Sequence, residues 1–144
     1  MEIFEITEFS TEVADAVRHL LPQFSSNASL PSDELIKQVI DSDASRLLVA
    51  SEAGLVLGML TIVIFPISSG TRAWIEDVVV DAPCRGKGVG EALIREALAL
   101  ARREDARTVN LASRPSRLAA IRLYKRIGFA PRETNIYKFE IGSK

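Results

Sequence analysis

The sequence predicts a mixed α/β domain with the element order β-α-α-β-β-β-α-β-α-β, an antiparallel first half followed by a crossover unit. Three observations lead there. The chain has 144 residues with 47% hydrophobic side chains, enough to bury about two-thirds of its unfolded surface in one domain spanning residues 1–144. Runs rich in β-branched residues at 46–65 and 71–80 are broken by short turns. The stretch VVVDAPCRGKGVGEALIREALALARR, Val78 to Arg103, then carries a strand through a glycine-studded turn into a long amphipathic run.

Glu2 to Thr7 alternates apolar and polar residues as a short strand does. Ser10 or Thr11 can cap a helix with Val13, Val17, Leu20 and Leu21 on one face, ended by Pro22, and 22–31 reads as a polar loop. Ser32 or Asp33 starts a second helix with Leu35, Ile36, Val39 and Ile40 inward. Arg46 to Ser51 and Leu55 to Phe65, split by Glu52-Ala53-Gly54, form an antiparallel hairpin. A turn at Pro66 to Gly70 leads to a fourth strand, Thr71 to Val80. Gly88 to Arg103 is a helix with Leu93, Ile94, Ala97, Leu98 and Ala101 at helical spacing. Arg107 to Ala112 is a strand, Ser116 to Ile127 a helix closed by Gly128, and Thr134 to Ile141 a final strand.

Composition narrows the function. Eighteen basic against 19 acidic side chains give a net charge of -1, which argues against nucleic-acid binding. A lone Cys84 and a lone His19 allow neither a disulfide nor a thiolate or imidazole metal cluster, so no metal is expected. The acidic N-terminus lacks a signal pattern, and the longest apolar run, Leu55 to Ile67, is too short and broken to cross a bilayer. A cytoplasmic protein without membrane contact is expected.

A strand entering Arg85-Gly86-Lys87-Gly88-Val89-Gly90 and then a helix gathers backbone N–H groups and the positive helix end at one point. Glycines there let an anion approach the backbone closely. A P-loop requires Gly-Lys followed by Ser or Thr, but Gly88 follows Lys87. A dinucleotide fingerprint requires a small residue where Glu91 stands.

Arg85-x-x-Gly88-x-Gly90 resembles the pyrophosphate-binding signature of the GNAT N-acetyltransferases. Ala120-Ile-Arg-Leu-Tyr124-Lys-Arg-Ile-Gly128-Phe129 is similar to that family's C-terminal signature. The resemblance covers essentially the whole chain. It implies acetyl-CoA as acyl donor, held in a V-shaped opening of a splayed central sheet between the fourth and fifth strands. It assigns the pantetheine amides to the backbone of Val78, Val79 and Val80, and the pyrophosphate to the amides of Arg85, Gly86, Lys87, Gly88, Val89 and Gly90. Arg117 stands where many members have an asparagine that bonds the pantetheine arm, and its guanidinium could instead meet a phosphate.

Acyl transfer to an amine needs a base, an oxyanion donor and an acid for the departing thiolate. Strand alternation puts Trp74, Glu76, Val78 and Val80 on one face, and Ile75, Asp77 and Val79 on the other. The resemblance favours Glu76 as base through a water, with Asp77 as fallback, the Val78 amide as oxyanion donor and Tyr124 as acid. A phenol of pKa ~10 needs local help to protonate a thiolate of ~8.5. The expected activity is direct transfer of acetyl from acetyl-CoA to a primary amine of a small molecule or peptide, within a ternary complex. Phe24, Trp74 and Tyr137 are candidate acceptor walls, and Glu76, Asp77 and Asp33 could attract a cationic amine. Alternatives are a non-enzymatic CoA-binding or sensory module, and an acyltransferase using a hydroxyl or a longer acyl chain. A homodimer is left open.

Overall fold

In the computed structural model, which describes residues 1–25 and 29–142, the β-rich runs become strands β1 (Glu2–Glu5), β2 (Ser45–Glu52), β3 (Leu55–Ile67), β4 (Gly70–Val80) and β5 (Thr108–Asn110). Helices α1 (Thr11–Phe24), α2 (Asp33–Asp41), α3 (Val89–Arg103) and α4 (Leu118–Ile127) follow the expected order. The chain divides into two compact units, Met1–Ala112 and Ser113–Lys144.

In the first unit one five-stranded sheet has the order β1-β2-β3-β4-β5, antiparallel from β1 to β4 and parallel between β4 and β5. The β2–β3 turn is tight because Ala53 and Gly54 both take positive φ, 51° and 79°, the backbone that a two-residue hairpin loop demands. β3 continues through Pro66, which pairs with Thr71, so the next turn shrinks from the expected 66–70 to Ser68-Ser69.

Helix starts match their caps. Ser10 Oγ accepts from Val13 N–H at 3.1 Å and Ser32 Oγ from Leu35 N–H at 3.1 Å. α1 departs from expectation at its far end, because it runs through Pro22 to Phe24 and closes with Ser25 N–H on Leu21 O. The expected loop residues Ser26, Asn27 and Ala28 lie outside the described residues. Arg18 ties α1 to the start of α2, donating to Pro31 O at 2.9 Å and pairing with Asp33.

The sheet is covered on both faces. Ala14, Val17 and Leu20 of α1 and Ile36 of α2 join Leu47, Val49, Met59 and Val79 in one cluster. On the opposite face α3 brings down Val89, Leu93, Ile94, Ala97, Leu100 and Ala101, all buried. The largest fully buried side chains are Leu20, Leu48, Leu60, Ile62, Leu93 and Ile94, each stabilising by about 1.5–3 kcal/mol relative to exposure.

Alternation along β4 breaks at one point. Thr61 pairs with Glu76 and Met59 with Val79, so Leu60 faces both Asp77 and Val78, a β-bulge. Asp77 carries the extra residue at φ 52°. The expected faces are therefore corrected beyond Glu76: Trp74, Glu76 and Val79 share the side of α1 and α2, and Val78 and Val80 turn with Ile75 to the other.

The expected final strand is also corrected. Among the described residues, 131–142 form neither strand nor helix, and Tyr137, Phe139 and Ile141 are 86%, 88% and 87% exposed. Alternation alone does not make a strand, since its N–H and C=O groups need a ladder partner.

Gly58 is where α3 comes closest to the sheet. A Cβ there would lie 2.8 Å from Val79 O, 3.2 Å from Val89 Cγ1 and 3.3 Å from Leu93 Cδ1. Gly58→Ala should lower unfolding free energy by about 1–3 kcal/mol through overpacking against backbone. Urea unfolding checks this, and an unchanged midpoint would contradict the close approach.

Candidate active site

The site in the first unit is built on the outer half of β4. Its pairing to β5 covers only Arg72–Trp74 with Thr108–Asn110, and β4 then runs on to Val80. Beyond Trp74 the β5-facing edge of β4 therefore leaves the parallel ladder, which is the divergence expected of a splayed sheet. The bulge falls on this stretch, and a bulge withdraws one residue from the ladder with β3.

After Val80 the chain makes a short 3-10 turn, Ala82–Cys84, and then the glycine turn. Gly86 and Gly88 have φ 77° and 84°, a region costly for residues with a Cβ. A Cβ at either would meet nothing within 4 Å, so the backbone is open to a ligand there. Gly88 is the N-cap of α3 and supplies no side-chain cap, leaving the first-turn N–H groups for an external acceptor. Arg85 and Lys87 are exposed beside them. These donors and charges fit a pyrophosphate. Val89, by contrast, is buried against Gly58, so its side chain anchors the loop and only its backbone can contribute.

Glu76 is exposed on the α1/α2 face of β4 and Asp77 is half-buried in the bulge. Burial, and after it the Asp77 carboxylate, raises the pKa of Glu76, which makes it a better proton acceptor near neutrality. Burial raises Asp77 as well. Trp74 is half-buried on the face of Glu76. Phe24 packs against the α1/α2 core cluster, and Asp33 is engaged by Arg18.

Sequence reasoning missed a cluster at the root of the loop. Gln23 Nε2 donates to Asp81 Oδ1 at 2.9 Å, and Gln23 Oε1 accepts from Ala82 N–H at 2.9 Å. His19 Nε2 lies 3.2 Å from the same Asp81 oxygen. The Gln23 amide, aided by His19, lowers the pKa of Asp81 against the opposing effect of burial. Arg85 Nε donates to Val80 O at 3.1 Å, and its Nη2 reaches Gln23 Oε1 at 3.5 Å. Pro22 had marked the helix as finished, so no signal pointed to Gln23.

In the second unit α4 ends at Gly128, whose φ of 126° and N–H bond to Tyr124 O at 3.1 Å turn the chain back. Phe129 N–H also bonds Tyr124 O, at 2.9 Å, and the two rings meet edge-on with centroids 5.9 Å apart. The spacing from Tyr124 to Gly128-Phe129 is thus one packing unit. Burial raises the pKa of Tyr124, and the positive charge of Arg117 acts in the opposite direction. Tyr124 is held as a neutral phenol at pH 7, with the Arg117 charge only partly offsetting the effect of burial.

Among the described residues no group of three or more His, Cys, Asp or Glu side chains could hold a metal ion, and no helix is long and apolar enough to cross a membrane.

Comparison with known proteins agrees with this geometry. Residues 13–129 match the model of the acetyltransferase (GNAT) family, and the chain belongs to that family. An N-acetyltransferase of Methanocaldococcus jannaschii is 39% identical over 61 residues, covering 42% of this chain and 27% of that protein. The chain thus matches about a quarter of that relative's length. An acetyltransferase structure from Agrobacterium tumefaciens is 18% identical, with 97% of this chain and 100% of that chain covered and a TM-score of 0.86. An aminoglycoside acetyltransferase from an uncultured soil metagenomic sample, solved with sisomicin, is 16% identical, with 99% and 96% covered and a TM-score of 0.86. The ribosomal-protein-alanine N-acetyltransferase of Brucella melitensis is 20% identical, with 98% and 100% covered and a TM-score of 0.77. The fold is that of these acetyltransferases.

The raised pKa of Asp77 carries a sign. Its ionised form is disfavoured in the fold, so the folded state binds more protons and stability falls as pH rises from 3.8 through the raised value. Asn tolerates positive φ and carries no charge. Asp77→Asn should therefore melt higher than wild type at pH 7, the gap closing as pH falls through the raised value toward 3.8. Because Asp77 raises Glu76, the same variant should let Glu76 ionise at lower pH. Melting curves across pH check the first part, and a gap independent of pH would contradict it.

Proposed function

We propose that this acetyltransferase acts as a single domain that moves the acetyl group of acetyl-CoA directly to a primary amine within a ternary complex. The observation that supports this most is the continuity of the site. The edge of β4 that leaves the β5 ladder runs into a glycine turn whose backbone is open at the start of α3. Acetyl-CoA would supply an activated thioester there.

The residues divide the work. The backbone of Val78, Val79 and Val80 bonds the pantetheine amides, and the amides of Arg85, Gly86, Lys87, Gly88, Val89 and Gly90 take the pyrophosphate. Glu76, with its raised pKa, removes a proton from the acceptor ammonium through a water. The Val78 N–H faces the oxygen that gains charge as the C–N bond forms and the C–S bond breaks. Tyr124 gives a proton to the leaving sulfur, the Arg117 charge partly offsetting the rise in its pKa that burial causes. Arg117 is also the proposed phosphate contact.

The acceptor class is supported by the neighbours, which include an enzyme named for aminoglycosides and one named as a ribosomal-protein-alanine N-acetyltransferase. Both names point to an amine. A small-molecule or peptide amine is therefore proposed, with transfer in the cytoplasm.

Thiol release from acetyl-CoA should be slow alone and rise when a panel of aminoglycosides, polyamines and peptides is added. With a working amine, Tyr124→Phe should slow single-turnover transfer by roughly 10²-fold with acetyl-CoA affinity retained. Glu76→Gln should recover activity as pH approaches the amine's own pKa. No amine-dependent release, or an unchanged chemical rate in Tyr124→Phe, would overturn the respective assignment.

A further inference from the structure

Gln23 sits in the last turn of α1, on the far side of Pro22 from the rest of the helix. Proline there removes a helical N–H and crowds the carbonyl one turn back, so a stabilising contact from outside the helix is needed to hold this turn. The Gln23 side chain makes that contact with both ends of its amide. Its Nε2 donates to Asp81 Oδ1 at 2.9 Å and to His19 O at 3.4 Å. Its Oε1 accepts from Ala82 N–H at 2.9 Å and from Arg85 Nη2 at 3.5 Å.

Those partners are the first residues of the glycine turn. Asp81 is fixed on one side by its own N–H to Leu57 O at 2.8 Å, and its carbonyl accepts from Cys84 N–H at 2.8 Å. Arg85 N–H bonds back to Ala82 O at 3.3 Å and its Nε to Val80 O at 3.1 Å. The path from β4 to Arg85 is thus braced by β3, by its own 3-10 turn and by two side chains of α1: His19, which meets Asp81, and Gln23, which reaches Asp81, Ala82 and Arg85. Beyond Arg85 the chain turns through the positive φ of Gly86 and Gly88, so the direction in which it leaves Arg85 sets where the following N–H groups point.

We infer that Gln23 is a positioning residue for the anion cradle, setting the orientation of the turn between β4 and α3 so that its backbone donors converge on the pyrophosphate. Its hydrogen bonds run to protein atoms of α1 and of the turn. This inference rests on the proposed reading of the turn as the coenzyme's pyrophosphate site.

Two ligands separate this role from general support of the fold: coenzyme A, and pantetheine, which has the thiol arm without the pyrophosphate. Wild type should bind coenzyme A more tightly than pantetheine. Gln23→Ala should weaken coenzyme A by about tenfold, the scale of one to two lost hydrogen bonds, and leave pantetheine affinity unchanged, measured by calorimetry for the first and NMR titration for the second. Gln23→Met, which keeps the bulk and loses the amide, should behave the same way and is the variant to judge if the alanine form does not fold. Wild-type preference for coenzyme A that persists undiminished in these variants would overturn the inference alone. Equal weakening of both ligands would also overturn it, since it would assign Gln23 to general support. A wild type with no preference for coenzyme A over pantetheine would remove the pyrophosphate reading of the turn, and the inference with it.

Discussion

The bulge of Asp77 and Val78 opposite Leu60 is the constraint on which the site depends. Without it β4 would keep strict alternation and Glu76 would share a face with Val78 and Val80. With it, Glu76 stays on the side of α1 and α2, and Val80 turns under α3 beside Gly58. One extra residue separates the acid from the strand end that leads to the anion cradle. It also places Asp77 at positive φ, a strain of roughly 1–2 kcal/mol for a residue with a Cβ, which the pairing on either side of the bulge has to offset.

The cradle depends on what anchors it at both ends. On the α3 side Val89 and Leu93 close over Gly58, so the helix start cannot drift from the sheet. On the β4 side the ladder through Asp81 N–H and the Gln23 amide hold the turn's first residues. Between these anchors Gly86 and Gly88 leave open backbone. Rigid supports with a bare, donor-rich centre suit a site that must hold charge without rearranging. Burial raises the pKa of Glu76, Asp77 and Tyr124, so these three groups share a bias toward their neutral forms.

Much of this was legible in the sequence because it is local. Ser10 and Ser32 cap the helices they precede, Ala53-Gly54 makes its hairpin, and Gly86 and Gly88 occupy the backbone that only glycine adopts cheaply. Tyr124, Gly128 and Phe129 pack as their spacing suggests. What escaped is non-local. The bulge lies in the register of β3 against β4 and is carried by an aspartate. α1 passes Pro22, with the following Gln23 held by Asp81 and Ala82 far along the chain, and β3 passes Pro66 within its pairing to Thr71. Thr134 to Ile141 has the alternation of a strand, yet among the described residues it forms none.

The central claim is that the backbone of β4 beyond its last partner on β5, together with the glycine turn, forms the acyl-donor site. Amide hydrogen exchange with and without coenzyme A tests it residue by residue. Slowed exchange at Val78 to Val80 and at Arg85 to Gly90, with β1 and β2 unaffected, is the result expected. Binding that leaves these amides unchanged and protects another part of the chain would contradict the account.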